Sequence, residues 1–382
     1  MKVDFQFEFP LTNKVIYFEN ATLGLCPKST IKIINKYIKE RCDWMLGSND
    51  WIKDKYKWLE QVDGSKELFS KIIGSKKDEV AFIPNTTTGL NTILSAIPKS
   101  GENIVTTDLA YIMGASVCLK QCERGVETKF IKSTMGQVDI SDFEKTVDDK
   151  TSVIYVDQAA AYNGLVYNLK ELSRIAHEHD SFLLIDGIQS VGALDLDVRK
   201  EGIDFLATGT YKWLLGGNFN AGYLFINEKH IDTFQSVFIG RPTIDENQFE
   251  RKIYDKSKLK YRIGIDRFQI YGINELAYVS IYNSMKFLLN YGIKNIDRQI
   301  KKLVSLLIDG LLESGFKLQT PVEDEKRLFI NVKVKNNKEL ATKLCKNNII
   351  VGAYKGGIRI SPNFYNRPEE INFFLDKFTC AQ

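Results

Sequence analysis

Histidine and cysteine are both scarce in this chain of 382 residues, with three of the first and six of the second. None of Cys26, Cys42, Cys118, Cys122, Cys345 and Cys380 forms a CxxC pair, so neither a disulfide framework nor a zinc centre is predicted, and no metal is expected. Cys118 and Cys122 could share a helix face and read as small buried hydrophobes, and Cys345 as a packing residue. His177 and His179 stand two apart on a predicted helix and so point in different directions, while His230 sits among charged residues and reads as surface. A serine or cysteine triad has little to draw on here, which makes lysine the better candidate for acid–base work. Long apolar runs are missing too: no stretch reaches the ~18 residues of a membrane span. The opening MKVDFQFEFP carries acids within its apolar stretch and no signal-peptide core, which predicts a cytoplasmic protein. Charge of one sign is also lacking. A net charge of +4, with 26% charged residues of mixed sign, argues against a nucleic-acid or membrane-surface partner.

What is present is a large apolar fraction, 44%, enough for a sizeable core and for two domains. Short apolar runs recur at EVAFIP (79–84), NIVTT (103–107), SVIYVD (152–157), SFLLID (181–186), IDFLAT (203–208) and AGYLFI (221–226). Runs of four to six apolar residues without alternation suit strands buried on both faces. Helical patterns such as TGLNTILSAI (88–97) and NLKELSRIAHEHD (168–180) lie between them, so a doubly wound α/β domain is predicted. After about residue 265 the pattern changes to two long amphipathic stretches (271–292 and 296–315), then RLFINVKV (327–334), IIVGAY (349–354) and IRIS (358–361). A last helix opens at NRPEE, with Asn366 as its predicted cap. This region reads as a small α+β domain.

In open α/β sheets ligands bind at the carboxyl ends of the strands. EVAFIP is followed by Asn85-Thr86-Thr87-Thr88-Gly89, which opens a helix. Free N–H groups, hydroxyls and the dipole there suit a phosphate, although plain capping by threonine fits the same residues. SFLLI ends in Asp186, which needs a partner such as a protonated ring nitrogen if it is buried; a structural or capping aspartate is the plainer alternative. IDFLA leads into Thr208-Gly209-Thr210-Tyr211-Lys212-Trp213, where a lysine stands between two aromatic rings. A phosphate site, a buried carboxylate and a desolvated lysine on one sheet edge match the needs of pyridoxal phosphate.

LLIDGIQSVGALDLDVRKEGIDFLATGTYKWLLGGNFNAGYLFI (183–226) closely resembles the class V aminotransferase family of fold-type I pyridoxal-phosphate enzymes. VIYFENATLGLCPKS (15–29), NTTTGLNTILSAI (85–97) and GGIRISPNFYNRPEEI (356–371) resemble its N-terminal segment, its phosphate-site helix and its C-terminal arginine motif, so the likeness spans almost the whole chain. It implies a large doubly wound, mainly parallel α/β domain (31–265), a small C-terminal α+β domain (266–382) and an N-terminal segment (1–30) packed on them. It implies Lys212 as the Schiff-base lysine, Asp186 as partner of the pyridinium and Gln189 as partner of the ring's phenolic oxygen. Thr86, Thr87, Thr208 and Tyr211 should hold the phosphate and Tyr111 should stack on the ring. Arg359, with Asn20 nearby, should bind the substrate's α-carboxylate. A homodimer acting on an amino acid is implied as well.

Three departures bear on the reaction. Desulfurases of the family carry a nucleophilic cysteine before the C-terminal arginine, but IIVGAYKGGIRIS is short and has none; it is closer to that of isopenicillin N epimerase-like members. Ile265 replaces a threonine that reaches a phosphate across the dimer. VDQAAAYNG (156–164) has alanines where many members place a polar residue beside the ring oxygen. An aminotransferase is therefore the first expectation, an epimerase or β-lyase the second, and a non-catalytic relative of the fold the alternative of a different class.

Overall fold

The computed structural model describes residues 5–47, 51–245, 259–270 and 272–381; Tyr271 and residues 1–4 of the N-terminal stretch lie outside them. In the N-terminal part run α1 (Phe5–Glu8), β1 (Ile16–Tyr17), α2 (Lys28–Met45) and α3 (Trp51–Ile73). Then β2 (Val80–Ile83), α4 (Thr86–Ala96), β3 (Asn103–Thr107), α5 (Ile112–Lys120), β4 (Glu127–Ile131), α6 (Ile140–Thr146) and β5 (Thr151–Asp157) follow in alternation. The series closes with α7 (Leu169–Glu178), β6 (Phe182–Asp186), β7 (Phe205–Gly209) and β8 (Gly222–Ile226). Beyond it lie α8 (Glu275–Tyr291), α9 (Ile293–Glu313), β9 (Ile330–Lys333), α10 (Asn337–Lys346), β10 (Ile349–Ile350), β11 (Gly352–Tyr354), β12 (Gly357–Ile360) and α11 (Pro368–Cys380).

β2 to β8 form one sheet in the order β2-β8-β7-β6-β5-β3-β4. Neighbours from β7 through β4 pair in parallel, and β8 runs against both β7 and β2. Every residue of β2, β3, β5, β7 and β8 is buried, as their unbroken apolar runs require of strands covered on both faces. Because the parallel strands share one direction, Thr107, Asp157, Asp186 and Gly209 end on one edge of the sheet, where the functional side chains collect. β4 escapes a reading by apolar runs, since ETKFI is a polar edge strand that is only partly buried.

The C-terminal region adds a three-stranded antiparallel sheet, β11-β12-β9, and β10 pairs in parallel with β1 from the N-terminal segment. IIVGAY is therefore two strands, split at Val351. α8 packs against α2 and α3 on the large sheet's side, and its serines reach the turn after Trp213: Ser280 donates to Gly216 O at 2.8 Å and Ser284 to Leu215 O at 2.9 Å.

Local expectations shift in four places. The residue capping α11 is Arg367, not Asn366: Pro368 takes the first helical position and holds the residue before it extended, while Glu370 folds back onto the Arg367 N–H at 3.1 Å. Cys118 is buried but Cys122 is exposed, because the helix ends between them at Lys120. Cys345 is exposed rather than packed. His230 is not a surface residue: its Nε2 lies 2.8 Å from Asp204 Oδ1, and His177 Nε2 lies 2.9 Å from the other oxygen of the same buried carboxylate. Burial opposes ionisation of Asp204, but these two imidazoles outweigh it and hold the carboxyl below the usual range.

Candidate active site

Asp186 closes β6 at 2% exposure and accepts one hydrogen bond, from the Ile188 N–H at 2.9 Å. It has no ion-pair partner within 4 Å among the described residues. Across the ladder Asp157 closes β5 directly opposite Asp186. Burial, then the Asp157 charge, push the Asp186 carboxyl up to about 8, and burial alone is the main force raising Asp157 to about 6. Two desolvated carboxyls side by side form a place for a cation.

Lys212 lies three residues beyond β7 and is 9% exposed. Its Nζ stands 5.7 Å from the centroid of the Tyr211 ring and 6.0 Å from that of Tyr111. Burial, then the nearby Arg359 charge, pull it down to about 8 against the opposing pull of Asp186 and Asp157. The backbone beneath it is clamped from the N-terminal segment. Gly24 N–H donates to Tyr211 O at 3.0 Å, and a Cβ on Gly24 would stand 1.8 Å from Lys212 O, so only glycine allows this approach.

At the start of α4, Asn85 caps by accepting from the Thr88 N–H at 3.0 Å. The Thr86 hydroxyl is buried without a hydrogen-bond partner, and a Cβ on Gly209 would lie 3.5 Å from it and 3.4 Å from the Tyr211 ring. The Thr208 hydroxyl is spent locally on Gly209 O at 3.0 Å, and Thr87 opens the same helix one residue on. An unpartnered hydroxyl, a helix start and a glycine in front of them make an anion cradle. Ile265, in place of a hydroxyl-bearing residue, is buried among apolar neighbours.

Arg359 on β12 is 5% exposed; it donates to Ala161 O at 2.9 Å and to Thr22 Oγ1 at 2.5 Å, and stacks 4.7 Å from the Tyr354 ring centroid. Its Nε is buried and unpartnered. Asn20 is fully buried and spends its amide within the protein, donating to Ser361 O at 2.8 Å and accepting from the Tyr365 hydroxyl. Gln189 is engaged at both ends, with Nε2 on Ala21 O at 2.9 Å and Oε1 accepting the Trp213 indole N–H at 3.1 Å. These two amides tie the N-terminal segment to the site's walls. Asp157, absent from the expected site residues, carries the same sequence signal as Asp186: an acid closing an apolar run.

A model of the aminotransferase class-V family matches residues 16–374. The chain belongs to that family. It is 26% identical to a "Probable cysteine desulfurase" of Pyrococcus abyssi, over 97% of this chain and 95% of that one. It is 25% identical to an "Uncharacterized aminotransferase" of Bacillus subtilis, over 94% of each. Among solved structures, the apo cysteine desulfurase of Thermococcus onnurineus superposes with a TM-score of 0.86 at 25% identity, covering 98% of this chain and 97% of that one. The fold is fold-type I, with its mainly parallel large sheet, and the cofactor of this class V enzyme is pyridoxal 5′-phosphate.

The site's own chemistry fits that cofactor. The orphaned Thr86 hydroxyl and the cradle at Gly209 suit its phosphate, and the paired buried carboxyls suit its ring nitrogen. The segment before Arg359 differs from a thiol-bearing loop: β11 and β12 are joined by Lys355-Gly356 alone, both at positive φ (44° and 75°), a two-residue hairpin without cysteine. Cys26, the cysteine nearest to Gly24 in sequence, has its thiol pushed up to about 11, by burial first of all, and so is a poor nucleophile.

Proposed function

We propose that this class V enzyme acts at the Cα of an amino acid, with Lys212 as the group that moves the proton, and that its reaction is amino transfer. The observation that carries the reading is the placement of Lys212: a desolvated amine pulled down to about 8, between two rings and near both Arg359 and Asp186. Pyridoxal phosphate, when bound, supplies the sink for the electron pair left at Cα. Thr86, Thr87 and Tyr211 hold its phosphate, with Thr208 lining the strand end beside them, and Asp186 keeps its ring nitrogen protonated. Tyr111 covers its face. With both amide ends engaged, Gln189 orients the wall at Ala21 and Trp213 and can add a contact to the ring oxygen by a shift of its amide. Arg359 grips the substrate carboxylate, and Asn20 secures the segment that contributes Thr22 to that grip. A single amine that takes the Cα proton and delivers it within its own reach suffices for amino transfer; epimerisation needs a second acid on the opposite face.

Elimination is the second reading, favoured by the near full-length likeness to a chain named a probable cysteine desulfurase. With no cysteine in the hairpin before Arg359, sulfur transfer to an enzyme thiol is disfavoured, but a leaving group lost from Cβ needs no thiol. We place the protein as a homodimer, and in the cytoplasm, where six unpaired cysteines remain reduced. We also propose a large domain through residue 265, a small one beyond it and an N-terminal segment bridging them. No helix among the described residues is long and apolar enough to cross a membrane.

Amino acids offered with and without a 2-oxo acid in deuterated water, followed by mass spectrometry, separate the readings. Amino transfer gives a new amino acid only when the acceptor is present. Release of ammonia or sulfide without acceptor means elimination, and Cα deuteration with inversion means epimerisation; either result contradicts amino transfer.

A further inference from the structure

Asp157 pairs with Asp186 across the ladder, yet it is 3% exposed and both of its own oxygens are already engaged within the protein. Oδ1 accepts the Tyr155 hydroxyl at 2.8 Å and Oδ2 accepts the Tyr111 backbone N–H at 2.8 Å. The second bond joins strand to helix. Tyr111 is the N-cap residue of α5, in extended conformation, and its own side chain makes no capping bond. Tyr155 and Asp157 lie two apart on β5 and share one face of the strand. The Tyr155 hydroxyl presses on the first turn of α5 at Gly114, where an added Cβ would stand 1.9 Å from it. Only a residue without a side chain lets the helix come this close.

Apolar packing would bind α5 to the sheet without burying a charge. What a carboxylate adds is direction: two charge-assisted bonds that hold the Tyr111 N–H and the Tyr155 hydroxyl at fixed angles. The Tyr111 ring, which follows from that backbone position, is one of the two rings beside the Lys212 amine, 6.0 Å from its centroid. We propose that Asp157 is a positioning residue of the cofactor site: by gripping Tyr111 N–H and the Tyr155 hydroxyl it fixes the start of α5, and so holds the Tyr111 ring against the face of the cofactor. This rests on the assignment of Tyr111 as the stacking ring.

The test is a cycle of Tyr111→Ala, Asp157→Ala and the double variant, read on the holoenzyme by the dissociation constant of pyridoxal phosphate and by the circular dichroism of its visible band. Each single change should weaken cofactor binding by roughly ten-fold, in the range seen when the outer partners of a site are removed. The double variant should bind no worse than Tyr111→Ala alone, because both act through the same ring. Asp157→Asn, which can turn Oδ1 to the Tyr111 N–H and its amide to the Tyr155 oxygen, should retain most of the affinity and the dichroism. Full additivity in the double variant overturns the proposal, placing the effect of Asp157 elsewhere. Parent-like binding by Tyr111→Ala overturns the stacking assignment, and the proposal with it. If Asp157→Ala does not fold, Tyr155→Phe takes its place in the cycle: a loss absent in the Tyr111→Ala background supports the proposal, and an undiminished loss refutes it.

Discussion

Replacing Lys212 by alanine should abolish exchange of the Cα proton, slowing it by about 10³-fold or more, toward the upper part of the range for a positioned acid–base group. Its charge acts on Asp186, and burial has already pulled the amine down to about 8, where it can give and take a proton near neutrality. The phosphate cradle at Thr86 and Gly209 is untouched by the change, so the cofactor should still be retained, though less tightly. Lys212→Arg should be as inactive as Lys212→Ala, since a guanidinium stays charged and can neither form the covalent link nor accept the proton. Deuterium incorporation at Cα of a substrate, followed by NMR, measures this directly. Exchange at the parent rate would mean that another base does the work.

Asp186→Asn should act on stability and on function with opposite signs. In the cofactor-free protein this carboxyl is raised to about 8, by burial and then by Asp157, so its pKa lies well above the unfolded value of about 4. A group raised on folding contributes stability that is fully present below the unfolded pKa and lost as pH rises through the folded one, here between about 4 and 8. A neutral amide of the same shape removes that penalty. Cofactor-free Asp186→Asn should therefore be more stable than the parent at pH 8, by about 1–4 kcal/mol, and indistinguishable from it near pH 4. Binding reverses the sign: without a carboxylate facing the ring nitrogen the cofactor loses its counter-charge, and both affinity and turnover should fall by roughly 10²-fold. Urea unfolding of cofactor-free protein across this pH range and titration with pyridoxal phosphate check the two halves separately. A destabilised Asp186→Asn protein at pH 8 would mean that the carboxylate already has a cationic partner.

This stability–function opposition explains which parts of the molecule can be read from sequence. The fully buried strands announce themselves through unbroken apolar runs, and so the large sheet is legible almost strand by strand. β4 is not, because an edge strand needs no apolar run: ETKFI buries only its last residue. Asp186 and Lys212 stand out because each breaks a local rule that a stable fold would keep, a lone acid at the end of a buried strand and a lysine between rings. Asp157 breaks the same rule in SVIYVD and was equally visible. Asn20 and Gln189 show the reverse limit. Their partners, Ser361 and Tyr365 for one, Ala21 and Trp213 for the other, are distant in sequence, so no local pattern reveals that their amides are already engaged. The cap of α11 illustrates how one proline moves a boundary: a cap at Asn366 satisfies composition, but Pro368 dictates the residue before it.

The hairpin at Lys355-Gly356 bears most on which reaction follows. Two residues at positive φ close β11 onto β12 with no room for a loop to reach over the site, and the thiol of Cys26 is held protonated by burial. The fold is shared with a cysteine desulfurase, while the element that would receive sulfur is reduced to a turn. This favours the proposed amino transfer, which needs the cofactor with Lys212, Asp186 and Arg359 but no thiol.

The central claim is that Lys212 holds pyridoxal phosphate covalently, and borohydride reduction of the cofactor-loaded protein followed by peptide mass mapping tests it most directly. The account predicts a stable phosphopyridoxyl adduct on the peptide containing Tyr211-Lys212-Trp213 and its loss in Lys212→Ala. An adduct on any other lysine, or none on a protein that has bound the cofactor, would contradict it.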